Sequence, residues 1–285
     1  MMGMKGDGVR LGIVSDSHFC PAGTPPGFWH NPQDYDRAEE RLELGIRLLQ
    51  SRNVDAVAML GDLTNFGDEP SIARAVAVLA SAGVPVLVVP GNHDCLLGVT
   101  EFLGHVDRLG PPGVMMAGTE HELGGIRVVG LTELARDDEV KQLVIADIDG
   151  GNWGDGPLVV LTHFPLLDRR AAIEAEGLRY AGGFRDAGVV RRLRDRRGPA
   201  IILHGHLHVR DATLDGNVLQ IGCAALVEPP HEATVVEIDR DEDGGWRVQV
   251  EHTALATSEA RLPVMTPARG AWRFAGEGWT VSPAS

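Results

Sequence analysis

Five short segments hold the residues that can do chemistry: Asp16-Ser17-His18, Gly61-Asp62, Gly91-Asn92-His93-Asp94, Thr162-His163 and Gly205-His206-Leu207-His208. Asp, His and Asn recur in them without a thiolate, a donor set suited to Mn, Fe, Zn or a similar divalent cation. Seven such donors are too many for one tetrahedral or octahedral ion that keeps positions open. They are about right for two ions sharing one bridging carboxylate, the arrangement of two-metal hydrolysis. Two competing chemistries are missing from the chain, which has neither a G-x-S-x-G nucleophile elbow nor a G-x-x-x-x-G-K-S/T phosphate loop.

In order and spacing the segments resemble the calcineurin-like metallophosphoesterases, whose pattern runs D-x-H, G-D, G-N-H-D/E, a lone His and then G-H-x-H. All five elements are present between residues 16 and 208. The Asn-His-Asp and Gly-His-Leu-His forms are similar to the bacterial cyclic-nucleotide and glycerophosphodiester phosphodiesterase branch. The resemblance implies that Asp16, His18 and His208 bind one divalent ion, that Asn92, His163 and His206 bind the other, and that Asp62 bridges the pair. Donor chemistry agrees, because a carboxylate has two oxygens to share whereas Asn offers one neutral carbonyl. Two ions about 3.5–4 Å apart lower the pKa of a shared solvent oxygen and give hydroxide near neutral pH. That hydroxide attacks phosphorus in line while the ions spread the developing charge. By the same resemblance His93 acts on the phosphoryl or leaving-group oxygen as general acid or electrostatic stabiliser, and Asp94 orients it. A ligand imidazole needs a partner on its far nitrogen, for which His204 or a backbone carbonyl is a candidate. His30, His105, His121, His231 and His252 fit no motif and are read as surface or packing residues.

The elements that must position these side chains are legible from periodicity. Val9–Ser15, Val54–Leu60 and Val84–Val89 read as buried strands, each ending at a motif. Between them, residues 36–50 and a segment with Ile72, Val76 and Leu79 on one face carry helical spacing. Strand, helix, strand, helix, strand points to a parallel sheet with right-handed crossovers. Further strands are expected at Ile126–Leu131, Leu158–Thr162, Ala200–Leu203, Val218–Ile221, Thr234–Ile238 and Trp246–Glu251, the last two joined by a turn at Gly244-Gly245. Helices are expected around Asp138–Ile148 and over 186–197. This pattern fits the family's α/β fold, a mixed two-sheet β-sandwich flanked by helices. We expect a metallophosphoesterase domain over residues 1–253 and a C-terminal extension over 254–285, where Pro263, Pro267, Gly270 and Trp272 leave no clear period. Ligands just past the C-terminal ends of strands occupy the crevice where open α/β sheets bind their ligands. Gly61, Gly91 and Gly205 let the backbone turn sharply and come close to the ions.

Composition sets the outer limits. With 44% hydrophobic and 23% charged residues the 285-residue chain reads as an ordinary globular protein. Its net charge of −14 argues against nucleic-acid polymers, which are bound through basic patches, and against anionic membrane surfaces. Three cysteines suit a reducing compartment better than a disulfide framework. Met1–Val9 has no apolar core of a signal peptide, and no apolar run approaches the roughly 18 residues of a membrane helix. A cytoplasmic location is therefore expected, with the oligomeric state left open.

Specificity should lie in loops around the mouth of the site. Two segments qualify: Phe19–Tyr35, with Phe28, Trp29 and His30, and Phe164–Phe184, with Arg169, Arg170, Arg179 and Tyr180. Trp29 stacking on a base while one Arg grips a phosphate is the functional reading. A packing role for Trp29 and a solvated helix face for Arg169 and Arg170 is the plainer one, and we favour it. The expected activity is metal-dependent hydrolysis of small phosphate esters, phosphodiesters ahead of monoesters. Protein phosphatases of the wider family usually carry Arg next to these motifs, whereas here Leu63-Thr64-Asn65 and Asp94-Cys95 follow. A non-catalytic scaffold would show ligand loss, and none of the seven positions is degraded.

Overall fold

Strands buried on both faces read as unbroken apolar runs, and here such runs end at the motifs because the strands form the parallel centres of two stacked sheets. The computed structural model describes residues 8–111, 113–116, 120–131, 154–184, 187–258, 260–276 and 278–283. Strands β1 (Gly8–Val14), β2 (Ala56–Met59), β3 (Val86–Val88) and β4 (Val114–Met116) run parallel. Helices α1 (Ala38–Ser51), α2 (Glu69–Ala80) and α3 (Val99–Leu109) connect them. The same sheet continues from β1 through the antiparallel strands β11 (Glu232–Arg240), β12 (Trp246–Ala254), β13 (Arg269–Ala275) and β14 (Gly278–Ser282).

The second sheet holds β6 (Ile126–Leu131), β7 (Leu158–Thr162), β8 (Ala200–His204) and β10 (Val218–Gly222) in parallel. Antiparallel β5 (His121–Leu123) and β9 (Asp211–Asp215) form its edges. Two short helices accompany this half, α4 (Arg170–Ala175) and α5 (Ala187–Asp195). The helix expected around Asp138–Ile148 lies outside the described residues.

The main core lies between the sheets, where Leu11, Ile13, Ala58 and Leu60 of the first meet Val128, Leu161, Ile201 and Leu203 of the second. The other face of the first sheet packs Val57, Met59 and Val88 on Leu42, Ile46, Ile72, Leu79 and Phe102 of the helices. The other face of the second sheet sets Val160, Ile202 and Val218 against Val189 and Leu193 of α5. The tail that shows no clear period supplies β13 and β14, and the Trp279 indole N–H donates to the Asn217 carbonyl at 2.8 Å, tying the tail to the second sheet. Its alternation is blurred by glycine and proline, yet Trp272, Phe274 and Trp279 all join the inter-sheet core. Among the described residues no helix is long and apolar enough to cross a membrane.

A candidate metal centre between the two sheets

All five motifs come off the C-terminal ends of parallel strands. Asp16 and His18 follow β1, Asp62 follows β2, and Asn92 and His93 follow β3. From the facing sheet, His163 follows β7, and His206 and His208 follow β8. Backbone hydrogen bonds lace these loops together: the Asp16 N–H donates to Gly61 O and the His18 N–H to Asp62 O, both at 3.0 Å. Within the facing sheet, Gly205 N–H donates to His163 O at 3.2 Å. The glycines are needed for contact rather than for flexibility. A Cβ on Gly91 would meet Asp62 Oδ1 at 2.1 Å, and one on Gly61, itself at φ +90°, would meet His163 Nδ1 at 2.5 Å.

Asp16, His18, Asp62, His206 and His208 all have φ between +49° and +66°. Side-chain-bearing residues seldom adopt that left-handed region, and they persist there only when the surroundings over-determine them. Among the described residues only Asn53 and His231 otherwise share it outside glycine. The turns fold the side chains inward. Asp16, His18 and His208 bring one ligand atom each within 4.8 Å of one another, as do Asp16, Asp62 and His163, and also His18, Asp62 and His93.

Hydrogen bonding fixes which imidazole nitrogen faces inward. His163 Nδ1 donates to the Leu60 carbonyl at 2.8 Å, so the neutral ring presents a bare Nε2. That lone pair points at two further acceptors, Asp62 Oδ2 at 3.3 Å and Asn92 Oδ1 at 3.1 Å. His208 repeats the pattern, with Nδ1 donating to Glu228 Oε1 at 2.7 Å and Nε2 3.3 Å from Asp16 Oδ1. His18 Nδ1 lies 3.2 Å from Asn65 Oδ1, and its Nε2 faces Asp62 Oδ2 at 3.7 Å. Lone pair against lone pair is repulsive unless a proton or a cation lies between them.

Without a cation, protons take that place at two of the rings. Burial alone would depress His163, but the Asp62 carboxylate overrides it and lifts the ring to about 9. Burial is likewise outweighed at His208, which Asp16 and Glu228 push up to about 10. The partner carboxyls of Asp16 and Asp62 are held below the usual carboxylate range despite burial, chiefly by His208 and His163 respectively. Burial wins at the other two rings and drives His18 down to about 4 and His206 to about 3. Their Nε2 atoms are buried without a hydrogen-bond partner among the described residues. Buried polar atoms are normally satisfied. Inward-facing imidazole lone pairs, two of them orphaned, beside two ionised carboxylates form a donor set that fits divalent cations.

The expected pairing of Asp94 with the His93 ring is not what the structure shows. The His93 Nδ1–H donates to the Asn65 carbonyl at 3.1 Å, and its backbone N–H donates to Asp62 Oδ1 at 2.8 Å. Asp94 is fully buried and already holds four donors: Thr64 N–H and Oγ1–H on one oxygen, Leu63 N–H and Gly91 N–H on the other. It braces the β2 loop against the β3 loop. Burial, helped by the Asp62 charge, pushes its carboxyl up to about 7. Likewise His204 turns its Nδ1 to Gly205 O at 3.0 Å and partners no ligand ring; Leu60 O, Glu228 and Asn65 do so instead.

Several contributing residues escape the motif reading. Glu228 is wholly buried and also accepts from the Asn31 N–H at 2.8 Å. Its signal is a lone carboxylate closing the buried run Ile221–Val227. Trp29 Nε1–H and His30 Nε2–H both donate to the Leu207 carbonyl, at 3.3 and 2.9 Å, between two ligand histidines. No spacing rule points to them. Arg169 is locked in a two-point ion pair with Asp211, and Arg170 pairs with Glu174 while lying 4.7 Å over the Tyr180 ring.

The site opens into a cleft of about 510 Å³ lined by its own residues and by Gly27, Phe28, Trp29, Gln33 and Ala181. A protein-family model described as calcineurin-like phosphoesterase matches residues 9–210. A protein of Synechococcus sp. named "Probable cyclic nucleotide phosphodiesterase" is 24% identical over 214 residues, covering 71% of this chain and 78% of that one. A protein of the same description from Rhodopseudomonas palustris is 25% identical over 213 residues, covering 70% and 72%. Among solved structures, a dimetal phosphatase from Danio rerio superposes with a TM-score of 0.58 at 14% identity over 87% of this chain and 96% of that one. The protein TT1561 of Thermus thermophilus gives 0.56 at 15% identity over 87% and 99%. These two similarities concern the fold.

Proposed function

The chain belongs to the calcineurin-like phosphoesterase family, a phosphoric ester hydrolase by that membership, and on this premise we propose that it hydrolyses small phosphodiesters, cyclic nucleotides foremost, with two divalent cations. Asp16, His18 and His208 would hold one cation, Asn92, His163 and His206 the other, and Asp62 would serve both. When bound, the cations supply Lewis-acid polarisation of the phosphoryl group and activation of water.

The protein's own residues do the rest. Asn65 holds His93 Nδ1–H through its carbonyl, which leaves Nε2 as the ring nitrogen free to carry a second proton. As an imidazolium, His93 gives that proton to the departing alkoxide oxygen and returns to the neutral ring. Asp94 keeps Gly91 and Leu63 in register, so that Asn92, His93 and Asp62 keep their mutual placement. Glu228 and the Leu60 carbonyl set the tautomers of His208 and His163.

One observation supports a diester over a monoester. The cleft beyond the site is lined by Gly27, Phe28, Trp29, Gln33 and Ala181, and Arg179 at its mouth lies against the rings of Phe28 and Trp29. A phosphodiester carries one negative charge and a second organic group that needs such a wall, whereas a monoester dianion asks for extra cations. The relatives named as cyclic nucleotide phosphodiesterases agree with this choice. The test is turnover of bis-p-nitrophenyl phosphate against p-nitrophenyl phosphate after metal stripping and reloading with Mn. Faster diester turnover is expected; faster monoester turnover would replace this reading with a phosphatase.

A further inference from the structure

The mouth of the cleft has an unusual arginine. Around the site, Arg169 is bound to Asp211, Arg170 to Glu174 and Arg210 to Glu232, while Arg261 donates to the Glu176 carbonyl. Arg179 makes no ion pair among the described residues. Instead its guanidinium carbon lies 5.5 Å from the centroid of Phe28 and 5.5 Å from that of Trp29. Both rings line the cleft. Phe28 is 59% exposed. Trp29 cannot swing away, because its indole N–H is bound to the Leu207 carbonyl.

We propose that Phe28, Trp29 and Arg179 form a nucleobase subsite at the mouth of the cleft; this rests on the phosphodiesterase reading above and names which part of the substrate the rim recognises. Two aromatic faces beside a guanidinium suit a planar ring. Every base offers a π-face for stacking, and the guanidinium offers in-plane donors to ring nitrogen and carbonyl acceptors on the base edge. The same arrangement disfavours a choline or ethanolamine head group. An aromatic pair alone would attract such a cation, but Arg179 already supplies the positive charge and would repel a second one. A glycerol group has no π-face to use. The chemistry of the rim thus selects nucleotide diesters from the wider class.

The experiment is calorimetric binding of AMP and of ribose 5-phosphate to the Mn-loaded protein, with Phe28→Ala and Arg179→Ala alongside. Both side chains belong to exposed residues, so both variants are expected to fold, and circular dichroism checks this. The wild type should bind AMP about tenfold more tightly than ribose 5-phosphate, the lower end of what one stacked base is worth. Each variant should lose most of that ratio while its affinity for ribose 5-phosphate stays within about twofold. Equal affinities in the wild type, no AMP binding, or a parallel loss for both ligands would each overturn the subsite. Turnover of bis-p-nitrophenyl phosphate by the same preparations judges the underlying phosphodiesterase reading separately.

Discussion

The edge where the parallel strands end and the antiparallel flank of β11–β14 share one core but use it differently. β2, β3, β7 and β8 are buried along their whole length and pass directly into the metal-site loops. β11 and β12 instead alternate buried with half-exposed residues. Their outward side chains take part in ion pairs such as Arg247–Asp239 and Arg52–Glu251. Strands gripped on both faces cannot slip by a residue without moving a full set of apolar side chains, so the loops at their ends inherit fixed origins. The flank has no such duty, and exposed ion pairs of this kind are worth little each. Substitutions at the first region should therefore cost activity, whereas those on the outward face of the flank should leave it unchanged.

Asp62→Asn is the largest test of that division. It keeps the size of the side chain and the acceptor for the His93 N–H, but removes the charge facing His163 and His18. Activity should fall by more than the roughly hundredfold typical of an outer-sphere partner, while circular dichroism changes little. His93→Ala comes next. Turnover should drop about a hundredfold or more with metal content by elemental analysis unchanged, and most steeply for diesters with poor leaving groups. Loss of metal instead would move His93 into the ligand set, which its proximity to His18 and Asp62 makes a real question.

Glu228→Gln probes the seam between the two regions, since Glu228 lies on the connection from β10 to β11 yet holds His208. Metal affinity should weaken by about 10- to 100-fold, and for one cation only, because His163 is held by a backbone carbonyl that no substitution can remove. Equal weakening of both ions would show that the halves of the site are not separable.

The smallest effect belongs wholly to the flank. His252 on β12 is buried against Thr234 of β11 at 2.8 Å, and burial, with Arg210 nearby, lowers it to about 3. It stays neutral in the fold, whereas in the unfolded chain it takes a proton below about 6.5. Its contribution is thus fully present above pH 6.5 and is lost as the pH falls toward 3. At pH 5 this amounts to about 2 kcal/mol. In His252→Asn the fall in melting temperature between pH 7 and 5 should be correspondingly shallower, with turnover at pH 7.5 unaltered.

The same division explains what could be read from the sequence. The seven expected ligands are legible because each sits within four residues of the end of a mostly apolar strand, and the structure gathers all of them at one edge. The helices α1 and α2 are legible from their spacing. Asn65, Thr64 and Glu228 are not, because their roles depend on contacts made 20 to 47 residues away in the chain, and an Asn or a Glu in a loop has no periodicity to betray it. Asp94 shows the converse hazard. Its adjacency to His93 suggests a partnership, but a side chain one residue along a turn points elsewhere, here to the backbone of the β2 loop.

The left-handed backbone at Asp16, His18, Asp62, His206 and His208 has a consequence for how this site could decay. At each of these positions glycine suits the local geometry better than the residue that is there, by about 1 kcal/mol or more in backbone terms. Selection acting on foldedness alone would therefore drift toward glycine and dismantle the site one ligand at a time. The two Asp and three His at these five points sit there against a local backbone cost, and any search for hyperstable variants of this chain should hold them fixed from the outset.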